Sequence, residues 1–218
     1  MISKKNNLYK TSIWRILWAG IVMSILLVCA IEYYRVIDFK IAQTLGLAFI
    51  AHALGGRAAG VGLCLMNGLG QTWTIMYNFY IEIMIVFLVY SLFVLSIKNY
   101  VKIRSVRFMA LKLERKARRH KDIIKRYGWI GLFFFVMIPL PVTGPVMGAI
   151  IGYLLKFRSW GNFSAVLLGT LTAIISWTVF FDFLDRHLHI IQYVFIGIII
   201  VAALSYIKTI RAWVKNRV

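Results

Sequence analysis

"MIPLPVTGPVMGAIIG", Met137 to Gly152, holds all three prolines of a 218-residue chain, at positions 139, 141 and 145. Proline lacks a backbone donor and breaks helices. Here the breakers stand inside an apolar run, where an unpaired backbone group costs most. Reading this stretch requires knowing on which side of a membrane each flank lies.

The membrane itself follows from composition. The apolar fraction is 61% and the mean hydropathy is +0.80, well above a soluble domain. Several uncharged runs approach the ~20 residues that a spanning helix needs. The runs are continuous rather than alternating, so the expectation is an all-α polytopic membrane protein and not a β-barrel. Cys29 and Cys64 lie in apolar segments, which points to no disulfide framework and no metal spacing. The first apolar run follows a basic N-terminus but has no small-x-small cleavage pattern before Glu32, so it reads as a retained helix.

Six apolar segments are legible: 13–31, 41–70, 72–97, 127–155, 161–181 and 190–207. The net charge is +19, and the basic residues flank these segments. Four lie in residues 1–15, twelve in 98–126, two in 156–158 and four in the tail 208–218. By the positive-inside rule all four stretches are cytoplasmic. Parity then demands that 41–70 begins and ends outside, and that 127–155 begins and ends inside. Neither is long enough for two crossings of ~20 residues each. Each therefore reads as a re-entrant hairpin. The arm from Tyr127 to Met137 is about 16 Å of helix, roughly half the ~30 Å hydrocarbon core, which puts the prolines near the midplane.

The expected architecture is an inverted repeat of re-entrant helical hairpin plus transmembrane helix, with about four full spans and two hairpins. It forms a single membrane domain over 1–218. The first half, 13–97, is a span, an outside hairpin at 41–70 and a span. A basic cytoplasmic linker, 98–126, follows. The second half, 127–207, is an inside hairpin at 127–155 and two spans. A basic tail, 208–218, closes the chain. Gly56-x-x-x-Gly60 echoes Gly144-x-x-x-Gly148, and Asn78-Phe79 echoes Asn162-Phe163. This is the usual plan of secondary transporters.

Candidate functional residues follow from depth. Pro139 disfavours helix at Ile138. Thr143 or Gly144 can cap the return helix, with Pro145 in its first turn. The tip of Pro139, Pro141 and Pro145 then presents a helix N-terminus suited to a carboxylate or phosphate. Arg57, near the other tip, has three readings: an anion ligand, a partner of Glu82, or a side chain snorkelling outward. Glu82 is either a proton carrier or a static partner of Arg57. Asn78 and Asn162 read as helix cross-links that could also line a substrate site. His52 is expected to satisfy a backbone carbonyl. Neither a nucleophile–base set, a phosphate loop nor a metal cluster is visible, so no enzyme activity, cofactor or metal is expected. The linker, with twelve basic and two acidic residues, reads as an interfacial helix on anionic lipid headgroups rather than a nucleic-acid site. Trp14, Trp129, Trp160 and Trp213 fall at the inferred cytoplasmic boundary.

"YGWIGLFFFVMIPLPVTGPVMGA", residues 127–149, resembles the small multidrug export family, whose second half carries YGxxGL…IPLPxTGxxxGA. That family is similar to the DedA superfamily of membrane proteins. The resemblance implies paired re-entrant hairpins in inverted repeat and proton-dependent transport, with lipid carriers such as polyprenyl phosphate as one substrate class. In the first half, Arg57 and Asn78 match the family pattern, while Gly55 replaces its acid and Val61 its proline. The DedA arginines of the second hairpin have no counterpart in "IPLPVTG".

The expected function is therefore a secondary transporter of the cytoplasmic membrane with both termini inside. It would move an anionic or amphiphilic substrate, a lipid phosphate or a small drug-like molecule, with proton coupling. The other reading is a non-transporting scaffold or lipid scramblase that organises anionic lipid or partner proteins. Assembly with further copies of the chain stays open.

Overall fold

A computed structural model describes residues 2–98, 104–138 and 144–187. The chain divides into two units, 1–178 and 179–218. Seven helices are seen among the described residues: α1 Ile2–Ile37, α2 Phe39–Gly55, α3 Arg57–Met66, α4 Gln71–Ile97, α5 Arg104–Met137, α6 Gly144–Leu154 and α7 Ser159–Arg186. No strand occurs among these residues.

Among the described residues, three helices are long and apolar enough to cross a membrane: Ile13–Ile37, Gln71–Ile97 and Ser159–Leu184. This is the all-helical membrane protein that composition demanded. The sixth apolar segment, 190–207, lies outside the described residues, as do the tail and Trp213. The remaining apolar helices are too short to span. α3 with 10 residues and α6 with 11 reach only about 15–17 Å at 1.5 Å per residue.

Two of the breaks between helices fall on single residues. The connection expected over 32–40 is mostly helical, and only Asp38 leaves the helix. Its carboxylate accepts from the amides of Lys40 (3.0 Å) and Ile41 (3.2 Å), an N-cap that starts α2. The α2–α3 break is one residue, Gly56, at φ 79° and ψ −172°. A side chain is rarely tolerated there, so glycine is what permits so abrupt a turn. α5 carries a second break at Gly128 (φ 57°), which parts the basic stretch from an apolar arm ending at Met137. The linker expected to be helical is helical from Arg104. Ile138 forms a bend just before Pro139, as the restriction on pre-proline residues requires.

At the other end, the loop expected from Asp182 is still helix to Arg186. An i,i+4 ion pair, Asp182–Arg186 at 2.8 Å, explains the extra turn.

α4 is the axis of the first unit. Over its best membrane window 56% of residues are buried, against 17% for α1. Among its neighbours are α1, α3, α5 and α6, and α2 packs on α3 as α5 packs on α6. Phe93, Val94, Leu132, Val136, Ile150, Ile151 and Val166 are fully or almost fully buried in one core cluster. Edge-to-face rings link the helices: Tyr90–Phe163 at 5.0 Å and Phe93–Tyr153 at 6.1 Å. In lipid the hydrophobic effect does not drive helices together, so packing contacts and buried hydrogen bonds carry this association. Outward apolar residues such as Trp18, Val36, Met66 and Val179 are the complementary lipid-facing surface.

Candidate functional site

The polar residues of α4 recur every four positions: Thr74, Asn78 and Glu82. That spacing puts them on one stripe of the helix, and all three are buried. Facing them from α2 and α3 are His52 and Arg57, also buried. Glu82 Oε2 lies 3.0 Å from His52 Nε2 and 3.8 Å from Arg57 Nε. Asn78 Oδ1 lies 2.8 Å from His52 Nδ1. Asn78 Nδ2 donates to Thr74 O at 2.9 Å and approaches Cys64 Sγ at 3.6 Å.

Arg57 reaches further. Its Nη2 donates to the carbonyl of Val136 at 2.9 Å. Val136 is in the last turn of α5, just before the proline break. A Cβ placed on Gly144, the first residue of α6, would stand 2.7 Å from the same Nη2. One side chain from the break of the first helix pair thus meets both Val136 and Gly144 of the second. Its Nη1 is buried and has no hydrogen-bond partner among the described residues.

The electrostatics there are lopsided. Arg57 opens α3, where the helix macrodipole disfavours a cation, and no side chain caps that N-terminus. The N-terminus of α6 begins beside the guanidinium. The start of α6 and the arginine meet, and the opposing charges in contact among the described residues are Glu82 and the carbonyl dipole of Val136.

The outward-snorkelling reading of Arg57 does not hold, because its side chain is 5% exposed. Its pairing with Glu82 does appear. His52 was expected to meet a backbone carbonyl; instead its ring nitrogens face the side chains of Asn78 and Glu82. Periodicity along α4 could have flagged this, since a polar stripe on an apolar helix calls for polar partners. Asn162 is not brought into the cluster. It ties α7 to α6 through Ala149 O at 2.8 Å, with Gly152 closely packed against its amide. Gly144 and Pro145 are both buried at the start of α6. Pro139, Pro141 and Thr143 lie outside the described residues.

A separate apolar cavity of about 600 Å³ lies between α1, α2 and α4. Leu27, Tyr34, Leu45, Trp73, Tyr77 and Tyr80 are among its lining. Two of these tyrosines also tie helices together: Tyr77 donates to Leu45 O at 2.6 Å and Tyr80 to Met23 O at 2.7 Å. Leu45 and His52 are seven residues apart on α2, so the cavity wall and the polar cluster are separated by about 10 Å along that helix. Among the described residues, no three His, Cys, Asp or Glu side chains gather as a metal site would require.

No curated protein and no solved structure matches the chain. A family-wide sequence profile does match, over residues 57–175. That match begins at Arg57, covers α3 to α6 and most of α7, and spans more than half the chain. The chain belongs to the family described as "Putative small multi-drug export protein".

Proposed function

We propose that the protein is a secondary transporter that moves an anionic or amphiphilic substrate past the junction of Arg57 and Gly144. The carrying observation is the buried Nη1 of Arg57, without a hydrogen-bond partner among the described residues, on a side chain that reaches the start of α6. A buried guanidinium donor without a partner is costly. A phosphate or carboxylate oxygen would supply the missing acceptor, and the amides at the start of α6 would add to it. Thr143 and Asn78 complete the proposed substrate path, and Glu82 couples it to protons. The cavity beside Trp73 and Tyr80 suits the hydrocarbon part of an amphiphile.

In this reading α2–α3 and α5–α6 are re-entrant hairpins entering from opposite faces, in an inverted repeat with four full spans. Their shortness supports it, as does a shared contact. Asn78 of α4 meets Cys64 of α3, and Asn162 of α7 meets Gly152 of α6. Residues 64 and 152 correspond when Gly56 is aligned with Gly144. Both termini then lie on the cytoplasmic side of the cell membrane, a reading that the charge distribution supports.

A second reading, a scaffold or scramblase acting through anionic lipid, is favoured by the helical course of the basic linker and by the exposure of Phe108 on it. Reconstituted vesicles separate the two. Flux of inorganic phosphate and of dihexanoyl phosphatidic acid is measured for the full chain and for Arg57→Gln. The transport reading expects flux of one probe, lost in the variant, and the probe transported tells free phosphate from lipid phosphate. Full flux of both in Arg57→Gln, with loss only on reversing linker charges, would replace it by the second reading.

A further inference from the structure

The contacts of His52 specify where its protons are. Thr74 O can only accept, and it lies 2.9 Å from Asn78 Nδ2. That fixes the amide with nitrogen towards Thr74 and oxygen towards His52. Asn78 Oδ1 also only accepts, so His52 Nδ1, 2.8 Å away, must carry hydrogen. In a neutral ring with hydrogen on Nδ1, Nε2 presents a lone pair. Yet Nε2 stands 3.0 Å from a carboxylate oxygen of Glu82, and an ionised carboxylate is acceptor-only. Two buried lone pairs at that separation repel, so the contact requires a proton between them.

We infer that His52 and Glu82 form a two-residue proton-binding site, holding one shared proton between Nε2 and Oε2 while Asn78 fixes the ring tautomer. The proton can be drawn on either atom, as imidazolium with carboxylate or as imidazole with carboxylic acid. Either way it titrates as a property of the pair. When it leaves, to water, the pair keeps the Nδ1 hydrogen and a net charge of −1, and the 3.0 Å contact opens.

Every element packed on the pair contributes to this. From α3 come the Arg57 guanidinium and the Cys64 thiol. From α4, besides Glu82, comes neutral Asn78, while the hydroxyls of Tyr77 and Tyr80 are turned to the carbonyls of Leu45 and Met23. On α1 the ion pair Glu32–Arg35 is exposed. Gly60 of α3 makes the geometry possible, because a Cβ there would meet Asn78 Oδ1 and come within 2.8 Å of the His52 ring. His52 precedes the stretch, 57–175, that matches the family profile.

One consequence rests on the anion site proposed above. With the shared proton the cluster of Arg57, His52 and Glu82 sums to +1, and without it to zero. Proton and anion therefore favour each other's binding, as thermodynamic linkage requires.

The full chain in lipid nanodiscs, labelled with ¹⁵N-histidine, tests the proton site directly. His52 is assigned as the signal missing from His52→Gln. From about pH 5 to about pH 9, wild-type Nδ1 should stay protonated while Nε2 titrates. In Glu82→Gln, whose amide can donate to Nε2, the Nε2 signal should stay unprotonated throughout. A neutral ring with hydrogen on Nε2 and a bare Nδ1 overturns the proton site, whatever the protein transports. The wild-type tautomer decides the outcome, and His52→Gln serves only to assign the signal. The linkage is read with sulfate, whose charge is constant over the range. Its dissociation constant should rise by up to about tenfold per pH unit above the transition of the pair. A sulfate affinity that is finite but indifferent to pH overturns the coupling. No sulfate binding at any pH, with the tautomer as stated, upholds the proton site and overturns the anion site instead.

Discussion

Arg57 and Val136 are 79 residues apart in sequence, and the guanidinium of the first donates to the carbonyl of the second at 2.9 Å. That bond closes one helix pair against the break of the other. It uses a carbonyl that the last turn of α5 leaves without an intrahelical partner. The same side chain faces Glu82, so it joins α3, α4 and α5 at one point. Structural and functional roles meet on this residue, and its variants should separate them.

Replacing Arg57 by Gln keeps a donor but removes the charge. Substrate flux in vesicles should fall by at least tenfold. Loss of a charge-assisted hydrogen bond should lower stability by about 1.5–3 kcal/mol, read as a lower unfolding temperature in detergent. Arg57→Lys keeps the charge but lacks the planar fork, and should recover stability better than flux.

Gly144 probes the same junction from the second helix pair. The Cβ of Gly144→Ala would stand 2.7 Å from Arg57 Nη2, the far end of a flexible side chain that can swing aside. In moving, Nη2 gives up its bond to the Val136 carbonyl, so stability should fall by up to about 1.5–3 kcal/mol. Flux should fall markedly, because the guanidinium is displaced from the start of α6. Unchanged transport in a well-folded Gly144→Ala would count against the site.

Two glycines of the first helix pair should respond in opposite directions. Gly56→Ala forces a side chain into φ 79°, ψ −172°, and should destabilise by about 1–3 kcal/mol. Gly46→Ala lies within α2, where the added Cβ meets nothing within 4 Å, and should stabilise by roughly 0.5–1 kcal/mol. Paired thermal melts of the two variants check the sign of each.

Asn162 gives a third measure of the packing. Asn162→Ala removes the bond to Ala149 O. Interhelical side-chain bonds in membranes average about 0.6 kcal/mol and reach about 1.7. A small drop in unfolding temperature is expected, with transport altered far less than in Arg57→Gln. A loss of flux equal to that of Arg57→Gln would move Asn162 into the substrate path.

Much of this protein was legible before any coordinates. Apolar run lengths specified helices that cross a membrane, because a bilayer leaves the backbone no other partner than itself. Pro139 marked the end of α5, and the hairpin reading of 41–70, with Arg57 near its tip, marked the break before α3. The match at "IPLPVTG" pointed to the family. Other boundaries were misjudged where side-chain pairs extended a helix, as Asp182–Arg186 does. What the tertiary structure alone decided is which buried polar groups meet. His52, Arg57, Asn78 and Glu82 sit on three helices, and Val136 comes from a fourth. Their distances depend on how those helices pack, and packing in lipid is set by shape and by polar pairing rather than by hydrophobicity. Sequence spacing could place Glu82 and Arg57 at membrane depth. Only the fold could turn His52 towards Glu82 and bring the start of α6 onto Arg57.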